Sequence, residues 1–587
     1  MLVPRSRWRF PVPTTVPPTL IAVGHELGLG PRALAILAAR GVTSDDDVRR
    51  FLGDAAGSLH DPARLPDAAV VADRIARARE RGEAVLVFGD FDADGITGLT
   101  ILTLALRRLG IETIPYVPSR LDEGHGLSLA AVEAARAARA ALIVTVDTGS
   151  SSVAEVAAAN DAGIDVIITD HHRLPGQLPP ALAIVNPQRV DSTYPEQRLA
   201  GSGVAFTVAR LLIGDAALAC ADLAAIGTVA DLAPILGENR AIVRLGLELL
   251  RDEPRPGLAA LFAAAHLDPA AIDLEALAFT VAPRLNAAGR VGEAFDAARL
   301  LLAEDPEEAA NLAATLDAAN ATRRDLLRTA IAEARTSPDA VDDAPATIVR
   351  GPWPVGIVGL VAGRLAEERR RPAIVGADLG PIVRASCRSG GELHLADTLA
   401  ACGDLLLRHG GHAGAAGFEL RTEDWSAFRE RFLALAAAAP APDPVPGQPI
   451  DLAVRARDVD YALLRDLTRL APYGIGNPEP MVAVLGLTVT RAREADGGHS
   501  QLVLKRRLDV LDGIAFGWPE LSREVVEGDS IDVVARLMSR RFGGIESLQL
   551  DIRDAAPSGM HPEARTILDA EPVPVGPGPG VELAPAS

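Results

Sequence analysis

The sequence predicts an α/β protein of several domains, with a small all-β unit near its carboxyl end. From Glu83 onward, short apolar runs alternate with alanine-rich helical stretches, which is the pattern of parallel strands joined by helices. Further along, five short runs of alternating polarity follow one another. A chain of 587 residues exceeds the size at which one hydrophobic core stops growing, so several domains are expected.

After an N-terminal segment (1–60), the first α/β domain is predicted over 61–240. Its strands are the apolar runs AVLVFG (84–89), ALIVTV (141–146), VIIT (166–169) and LAIV (182–185). Polar residues follow each run. Open parallel sheets bind ligands beyond the carboxyl ends of their strands, so functional residues are expected there.

The remaining chain divides into four further parts. A helical connector is predicted over 241–335 and a second α/β domain over 336–439, followed by a proline-rich stretch at 440–449. The runs MVAVLGLTVTRA, HSQLVLK, DVLDGIAFGW, SIDVVARLM and ESLQLDIRDA predict five short strands within 447–556. A small OB-like β-barrel needs five such strands, but the pattern does not distinguish a barrel from a sandwich. The tail 557–587, rich in proline and glycine, is predicted to be disordered.

Composition limits the classes of function. The net charge of −20 argues against a uniformly basic nucleic-acid surface, although it leaves room for a local basic groove. The three cysteines have no CxxC spacing, which predicts neither disulfides nor a thiolate metal site and fits a cytoplasmic protein. No run approaches the roughly 20 apolar residues of a membrane span, so no membrane association is expected.

The strongest local signal is VFGDFDADGITG, which places Asp90, Asp92 and Asp94 at alternate positions after a strand. Carboxylates this close repel one another unless a cation neutralises them, and oxygen ligands suit magnesium or manganese. An EF-hand loop begins in the same way, but its twelfth position requires glutamate and is Ile101 here. Standing alone, the motif would also fit an aspartate-rich, solvated turn.

The next two strands also end in possible ligands. IVTVDTGS places Asp147, and IITDHH places Asp170, His171 and His172. Aspartate oxygens with an imidazole suit manganese or a related ion, whereas zinc sites more often use cysteine or several histidines. Asp231, in IGTVADLAPI, follows an apolar helix and would by itself be an ordinary turn aspartate.

The motifs DFDADG, VDTG, TDHH and GTVADLAP resemble, in this order, those of the DHH phosphoesterase family. The resemblance implies hydrolysis of phosphodiesters with two Mn²⁺ or Mg²⁺ ions, which align water for attack on phosphorus and stabilise the leaving oxygen. By this resemblance the metal ligands are Asp92, Asp94, Asp147, His171 and Asp231. Asp90 is a further ligand or a neighbour of one, and His172 lies beside the scissile phosphate.

A second set of motifs resembles the longer, RecJ-like exonucleases of that family. GGHAGAAGF is similar to the glycine-rich signature of the DHH-associated domain, with Gly410, Gly411 and His412 at its centre. The stretches YVPSRLDEGHGLS, LAGSGVAF, PRLNAAGR, ASCRS and LAPYGIGNPEP extend the resemblance over about 80–556. It implies a phosphate pocket for the 5′ end of the strand, made of Arg120, Arg290, Ser386 and Arg388, with Arg284 nearby and with Gly411 and His412 as further phosphate contacts.

One departure and one open assignment remain. RecJ-like sequences usually carry Trp-His-Pro-Gly where this chain reads WPVGIVG (353–359), so the usual histidine is absent and Pro354 and Val355 occupy its region. In the predicted barrel, a group of basic and aromatic residues fits either a DNA-binding surface or a solvated rim. The group consists of Lys505, Arg506, Arg507, Arg540, Arg541 and Phe542.

The function implied by the resemblance is a 5′→3′ exonuclease that hydrolyses single-stranded DNA to mononucleotides in DNA repair and recombination. A single-strand-binding protein and a helicase are the candidate partners, and the chain is expected to be monomeric. The alternatives are a DHH hydrolase of short oligonucleotides or cyclic dinucleotides, which the added C-terminal domain disfavours, and a catalytically inactive replication scaffold, which the complete ligand set disfavours. The 5′→3′ polarity rests on the resemblance alone.

Overall fold

The structure, a computed structural model, describes residues 2–12, 16–120, 123–391, 393–439, 445, 447–506, 509–542 and 545–570. The chain forms two compact units. The barrel unit contains Met1–Gly53, Asp443–Tyr473 and Asn477–Ser587. The sheet unit contains Asp54–Pro442 together with Gly474–Gly476.

The N-terminal segment begins the barrel unit. Its elements are β1 (Arg7–Arg9), α1 (Pro18–Leu27), α2 (Pro31–Ala39) and α3 (Asp45–Leu52). Ser44 and Asp47 form a capping box at the start of α3, because each side chain receives a backbone N–H of the other residue.

The first sheet of the sheet unit has five parallel strands in the order β3-β2-β4-β5-β6. Its elements are α4 (Ala68–Arg81), β2 (Ala84–Gly89), α5 (Ala93–Arg108), β3 (Thr113–Tyr116), α6 (Leu129–Ala137), β4 (Ala140–Val146), α7 (Val153–Asp161), β5 (Asp165–Thr169) and β6 (Ala183–Val185). The four predicted strands are confirmed. The edge strand β3 was not predicted, because TIPY is short and contains a proline, which only an edge strand tolerates readily.

Helices follow this sheet. They are α8 (Gly201–Ile213), α9 (Ala221–Ala230), α10 (Gly237–Asp252), α11 (Pro256–Ala264), α12 (Leu274–Ala276), α13 (Ala282–Val291), α14 (Ala294–Leu302) and α15 (Pro306–Thr336). A π-helical turn, Leu277–Val281, joins α12 to α13. The helical pattern and the long final helix were predicted correctly.

The stretch Gly201–Ala230 is more apolar than the sequence analysis allowed. By length and composition it could cross a membrane. A 3₁₀ turn at Gly214–Cys220 divides it into α8 and α9, and Val204, Phe206 and Ala225 are fully buried in the core of the sheet unit. Burial in that core accounts for its apolar character.

The second sheet of the sheet unit is mixed, in the order β10-β11-β9-β8-β7, and only β7 and β8 are parallel neighbours. Its elements are β7 (Thr347–Gly351), α16 (Val355–Arg369), β8 (Ala373–Asp378), β9 (Ile382–Arg388), α17 (Leu395–Ala400), β10 (Arg408–Gly411), β11 (Ala415–Arg421) and α18 (Trp425–Ala437). The second α/β fold is therefore as predicted.

The barrel unit closes a five-stranded barrel, in which β14-β15-β16-β18-β17 pair in order and β17 also pairs with β14. Its elements are β12 (Gly447–Pro449), β13 (Leu452–Arg455), α19 (Tyr461–Thr468), β14 (Val482–Ala495), β15 (His499–Arg506), β16 (Asp509–Ala515), α20 (Leu521–Glu524), β17 (Ser530–Phe542), β18 (Ile545–Pro557) and α21 (Pro562–Ala570). The five predicted strands are confirmed, and closure decides for a barrel over a sandwich.

The prediction that the tail is disordered from 557 is wrong for its first part, because α21 is helical. Ala564 and Leu568 of this helix are buried in a cluster with Trp8, whose ring stacks on His561 at a centroid distance of 4.5 Å. Average composition concealed a short amphipathic segment that packs on the distant N-terminus. Residues 571–587 lie outside the described residues.

The barrel carries some of the predicted basic residues on its surface. Lys505 on β15 and Arg540 on β17 are exposed. Arg507 and the side chains of Arg506, Arg541 and Phe542 lie outside the described residues, so the DNA-binding surface stays a prediction. The three cysteines are free and buried.

Candidate active site

The DFDADG motif links the end of β2 to the start of α5. The Asp90 N–H donates to Val146 O, which continues the pairing of β2 with β4. Asp92 caps α5, since its carboxylate accepts from the N–H groups of Asp94 (3.0 Å) and Gly95 (3.1 Å). A Cβ at Gly95 would lie 2.5 Å from Asp90 O, so this turn requires glycine. The spacing of the acids thus follows from a strand that turns directly into a helix.

Asp94 lies under the first turn of α8. Its two carboxylate oxygens accept from the N–H groups of Gly201 (2.7 Å) and Ser202 (2.9 Å). The helix N-terminus stabilises the negative charge, although Asp94 is only 2% exposed. Gly227 of the GTVAD motif lies opposite, where a Cβ would approach Asp94 Oδ1 to 2.5 Å.

The ends of β4 and β5 bring the remaining predicted ligands to the same place. Asp147 has a left-handed backbone (φ 60°), and its N–H donates to Thr169 O. His171 Nε2 lies 3.0 Å from Asp147 Oδ1 and 4.0 Å from Asp94 Oδ2. His171 Nδ1 lies 3.7 Å from Asp231 Oδ2. The predicted convergence of the strand ends is therefore present.

Three overlapping groups of side chains place possible ligand atoms within 4.8 Å of one another. The groups are Asp90, Asp92 and Asp147; Asp94, His171 and Asp231; and Asp147, His171 and His172. Because Asp147 and His171 each belong to two groups, the donor set suits neighbouring cations with shared ligands.

The electrostatics of the acids also fit a cation. Burial, together with repulsion from Asp90 and Asp94, raises the pKa of Asp92 to about 6. Burial and the neighbouring acids raise the pKa of Asp147 well above its usual value and that of Asp231 to about 7. Asp90 Oδ1 is buried without a hydrogen-bond partner, and Asp147 Oδ1 and His171 Nε2 make no hydrogen bond although they lie 3.0 Å apart. Crowded carboxylates with unsatisfied oxygens are what a divalent cation would satisfy.

Asp170 orients His172. Its Oδ1 accepts from the N–H groups of His171 (2.8 Å) and His172 (3.1 Å) and lies 2.8 Å from His172 Nδ1. Burial opposes ionisation of Asp170, but the hydrogen bond and charge of His172 hold its pKa well below the usual value. The same hydrogen bond raises the pKa of His172 to about 9. In the metal-free site His172 is therefore protonated at neutral pH, and 57% of its side chain is exposed.

A group of arginines lies beside the acids. Burial, and then repulsion from Arg120, Arg323 and Arg388, lowers the pKa of Arg290 to about 9, while Asp92 opposes this shift. The guanidinium carbon of Arg120 lies 4.1 Å from the centroid of the Phe91 ring. Phe91 stands between Asp90 and Asp92 in the sequence. These arginines form a positive cluster next to the negative one.

Helix α16 joins this cluster to the second sheet. Arg290 Nη1 donates to Gly356 O at 2.9 Å. A Cβ at Gly359 would lie 3.4 Å from both Ser386 Oγ and Arg388 Nη2, which places these two residues against the same helix. The structure thus brings together Arg120, Arg290, Ser386 and Arg388, and their role as a phosphate pocket stays a prediction.

Comparison with known proteins identifies the family. Family models match the DHH family N-terminal domain over 84–228, the DHHA1 domain over 345–438 and the RecJ OB domain over 450–554. The single-stranded-DNA-specific exonuclease RecJ of Bacillus subtilis is 35% identical over 565 residues, covering 95% of this chain and 72% of the relative. The protein of the same name from Escherichia coli is 35% identical over 584 residues, covering 90% of this chain and 96% of the relative. The chain belongs to the RecJ family.

Solved RecJ structures agree with the fold and with the metal. RecJ from Thermus thermophilus in complex with Mn²⁺ has a TM-score of 0.80 and 31% identity, covering 94% of this chain and 80% of that chain. The complex of that protein with Mg²⁺ has a TM-score of 0.75 and 30% identity, with 94% and 78% covered. RecJ structures thus hold both of the predicted metals, and the acids and histidines of this chain fit either ion.

Two predicted phosphate contacts differ in their relation to the arginine cluster: Arg284 repels Arg323 of that cluster, whereas no contact in the described part of the chain joins His412 to it. Arg284 donates to Asp317 Oδ1 (2.9 Å) and to Thr280 O (2.8 Å), so its charge is paired on α15. His412 is exposed at the turn between β10 and β11, where its N–H donates to Ala415 O. Gly411 has a φ of 136°, and a Cβ there would lie 2.4 Å from Ala416 Cα. The glycine-rich RecJ motif therefore forms a tight hairpin, while Gly410 faces open space.

Three residues of the site were not predicted. His125 Nδ1 lies 3.1 Å from Asp90 Oδ2, and its ring packs on Phe91. Asn286 Oδ1 accepts from the Ala93 N–H at 2.8 Å and so holds the start of α5. His125 and Asn286 lie inside the RecJ-like stretches, which were a usable signal, whereas nothing distinguished Arg323 from other helix-surface arginines.

Proposed function

We propose that this chain is a metal-dependent 5′→3′ exonuclease that hydrolyses single-stranded DNA to mononucleotides in DNA repair and recombination. The observation that carries the proposal is that two clusters of opposite charge are neighbours in one unit, since the Arg120 guanidinium lies 4.1 Å from the ring centroid of Phe91, the residue between Asp90 and Asp92. Asp92, in the acid cluster, acts electrostatically on both Arg120 and Arg290 in the arginine cluster. A cation site therefore adjoins a cradle for a phosphate.

The acid cluster supplies the metal ligands in this proposal. Asp90, Asp92, Asp94, Asp147, His171 and Asp231 would hold two Mn²⁺ or Mg²⁺ ions. When bound, the ions supply an activated water and neutralise charge that develops at phosphorus. His172, kept protonated by Asp170, donates to an oxygen of the scissile phosphate.

In this proposal the arginine cluster determines the 5′→3′ direction of cleavage and the length of the product. Burying several guanidinium groups together is costly unless an anion joins them, and a terminal phosphate accepts several charge-assisted hydrogen bonds. Arg120, Arg290 and Arg388, with the Ser386 hydroxyl, would anchor this phosphate. An end held at a fixed distance from the metals places the first internucleotide bond at the reacting position, so mononucleotides are released.

The remaining proposals concern further contacts with the strand, the domain bounds and the partners. We place Arg284, Gly411 and His412 along the strand beyond the terminal phosphate. The domain bounds that we propose are 61–240 for the DHH domain, 241–335 for the helical connector, 336–439 for the DHH-associated domain and 447–556 for the OB-like domain. The protein would act as a cytoplasmic monomer, with a single-strand-binding protein and a helicase as partners.

The test uses the purified chain with Mn²⁺ and a long single strand labelled at either its 5′ or its 3′ end, beside a blunt duplex. Immediate release of the 5′ label as a mononucleotide, with the duplex spared, is expected. Arg290→Gln should slow this release, whereas Arg335→Gln, which changes an exposed arginine paired with Glu368, serves as the matched control. Release from the 3′ end first would refute the polarity. A preference for strands of about two to four nucleotides would favour the oligonucleotide hydrolase, and absence of cleavage would favour the scaffold.

A further inference from the structure

The turn that follows Asp231 contains a non-glycine residue in the left-handed conformation. Asp231 ends α9, and the next residue, Leu232, has a φ of 60° and is 65% exposed. A non-glycine residue in the left-handed region costs about 1 kcal/mol or more and persists where its surroundings hold it. The residue next to Asp231 therefore carries backbone strain.

A segment distant in sequence holds the far end of the turn that follows Asp231. The Leu232 and Ala233 N–H groups donate to Val229 O and Thr228 O and so form a Schellman ending on α9, which leaves the chain beyond Ala233 to be held from elsewhere. The Ile235 N–H instead donates to Ile475 O at 2.7 Å, across more than two hundred residues. Gly474–Gly476 belongs to the sheet unit, although the chain on both sides of it belongs to the barrel unit. We call this segment the strap.

The two glycines of the strap are required by its close approach to the turn. A Cβ at Gly474 would lie 2.6 Å from Ile235 Cγ1, and Ile235 is only 2% exposed. Gly476 has a φ of 78°, and a Cβ there would lie 3.0 Å from Leu236 Cδ1. The backbone of the strap can lie against Ile235 and Leu236 because neither glycine carries a side chain.

Asn477 fixes the base of the strap. This residue is fully buried, and its Nδ2 donates to Leu470 O (2.8 Å) and Pro472 O (3.0 Å). These bonds close residues 470–477 into a loop. They also give a physical reason for the YGIGN sequence, to which the proposed reaction assigns no role.

We propose that the strap is a positioning element that holds the Asp231 carboxylate where it can bind metal. The inference rests on the proposed role of Asp231 as a ligand. The bond to Ile475 anchors the end of the turn that begins at Asp231, so moving the anchor lets the left-handed residue relax and shifts the carboxylate. Residues that orient metal ligands typically contribute about 10- to 100-fold to metal affinity.

The test measures Mn²⁺ binding without DNA, from the electron paramagnetic resonance signal of the free ion. Gly474→Ala pushes on Ile235 and is expected to weaken Mn²⁺ binding by about 10-fold or more. Ile235→Ala removes the clashing Cγ1 and leaves a Cβ 3.6 Å away, which is an ordinary contact. The double variant should therefore bind Mn²⁺ as well as Ile235→Ala alone. Gly176→Ala, at a glycine with open space around it, is the control.

Circular dichroism establishes that each variant is folded, and Gly476→Ala provides a second route because it presses on Leu236 instead. The proposal is overturned if the folded Gly474→Ala and Gly476→Ala variants bind Mn²⁺ like the unmodified chain, or if the double variant shows no recovery. If the unmodified chain itself binds no Mn²⁺, the proposed metal site fails and the strap proposal fails with it. Normal Mn²⁺ binding in the unmodified chain would support the metal site by itself, and weak binding in Gly474→Ala would then support the role of the strap.

Discussion

Replacing Asp92 by asparagine should stabilise the metal-free protein while abolishing its cleavage of DNA. Asparagine keeps the cap of α5, because its amide oxygen can accept the same two N–H groups. It removes a carboxylate whose pKa is raised from 3.8 to about 6 by burial and by Asp90 and Asp94. A shift of this size corresponds to a penalty of about 3 kcal/mol on the ionised group. The free energy of unfolding of Asp92→Asn should therefore exceed that of the unmodified chain by about 3 kcal/mol at pH 8.

The pH dependence gives the sign of the effect. A carboxylate whose folded pKa is raised destabilises the protein fully above that pKa, and the penalty disappears as pH falls towards the unfolded value. The gain of Asp92→Asn should thus be largest near pH 8 and decrease to about half by pH 5. Thermal unfolding in EDTA, recorded for the unmodified chain and for Asp92→Asn, measures this gain.

Two comparisons complete this experiment. Asp92→Ala loses the cap, which costs about 1 kcal/mol, and should be less stable than Asp92→Asn at every pH. Added Mn²⁺ should raise the unfolding temperature of the unmodified chain more than that of either variant, because it binds the folded site. The reasoning is refuted if Asp92→Asn without metal is no more stable than the unmodified chain at pH 8, or if its advantage grows as pH falls.

Three other predictions concern the reaction. His171→Ala should reduce cleavage more than about 100-fold while leaving the fold and most of the binding of single strands intact, since phosphate contacts supply most nonspecific affinity. Circular dichroism and gel-shift titration check this, and loss of folding would indicate a structural role. Arg290→Gln should raise KM for a 5′-phosphorylated strand about 10-fold, the equivalent of one charged hydrogen bond, and should affect a 5′-hydroxyl strand much less; equal effects on both strands would contradict a terminal phosphate pocket. Asp170→Asn removes the main cause of the raised pKa of His172, so the loss of kcat at high pH should move below pH 9; an unchanged pH profile would exclude a role for the protonated ring.

Much of the fold could be predicted because its strands are apolar and end in polar residues. The run at 84–89 matches β2 residue for residue. Helix α21 was missed because its buried partners, among them Trp8, lie more than five hundred residues away in the chain. Contacts of this kind leave no local periodicity that distinguishes them from a solvated tail.

The candidate site was predictable to a similar extent and for a similar reason. Ligands at the ends of β2, β4 and β5 converge because neighbouring parallel strands end at the same edge. The support from Asn286 and the pairing of Arg284 with Asp317 depend on how α13 packs, which single motifs do not determine. Arg323 is similar, since its influence on Arg290 arises from the position of α15 against α13.

Lys505, exposed on β15, is the only lysine in the sequence, and the three cysteines are buried. Apart from the α-amino group, an amine-reactive dye therefore has a single place to attach, and that place is on the barrel. A fluorophore at Lys505 with a quencher on the DNA would report arrival of a strand at the barrel without any engineered residue. The same chain could then be observed during binding and during cleavage in one optical experiment.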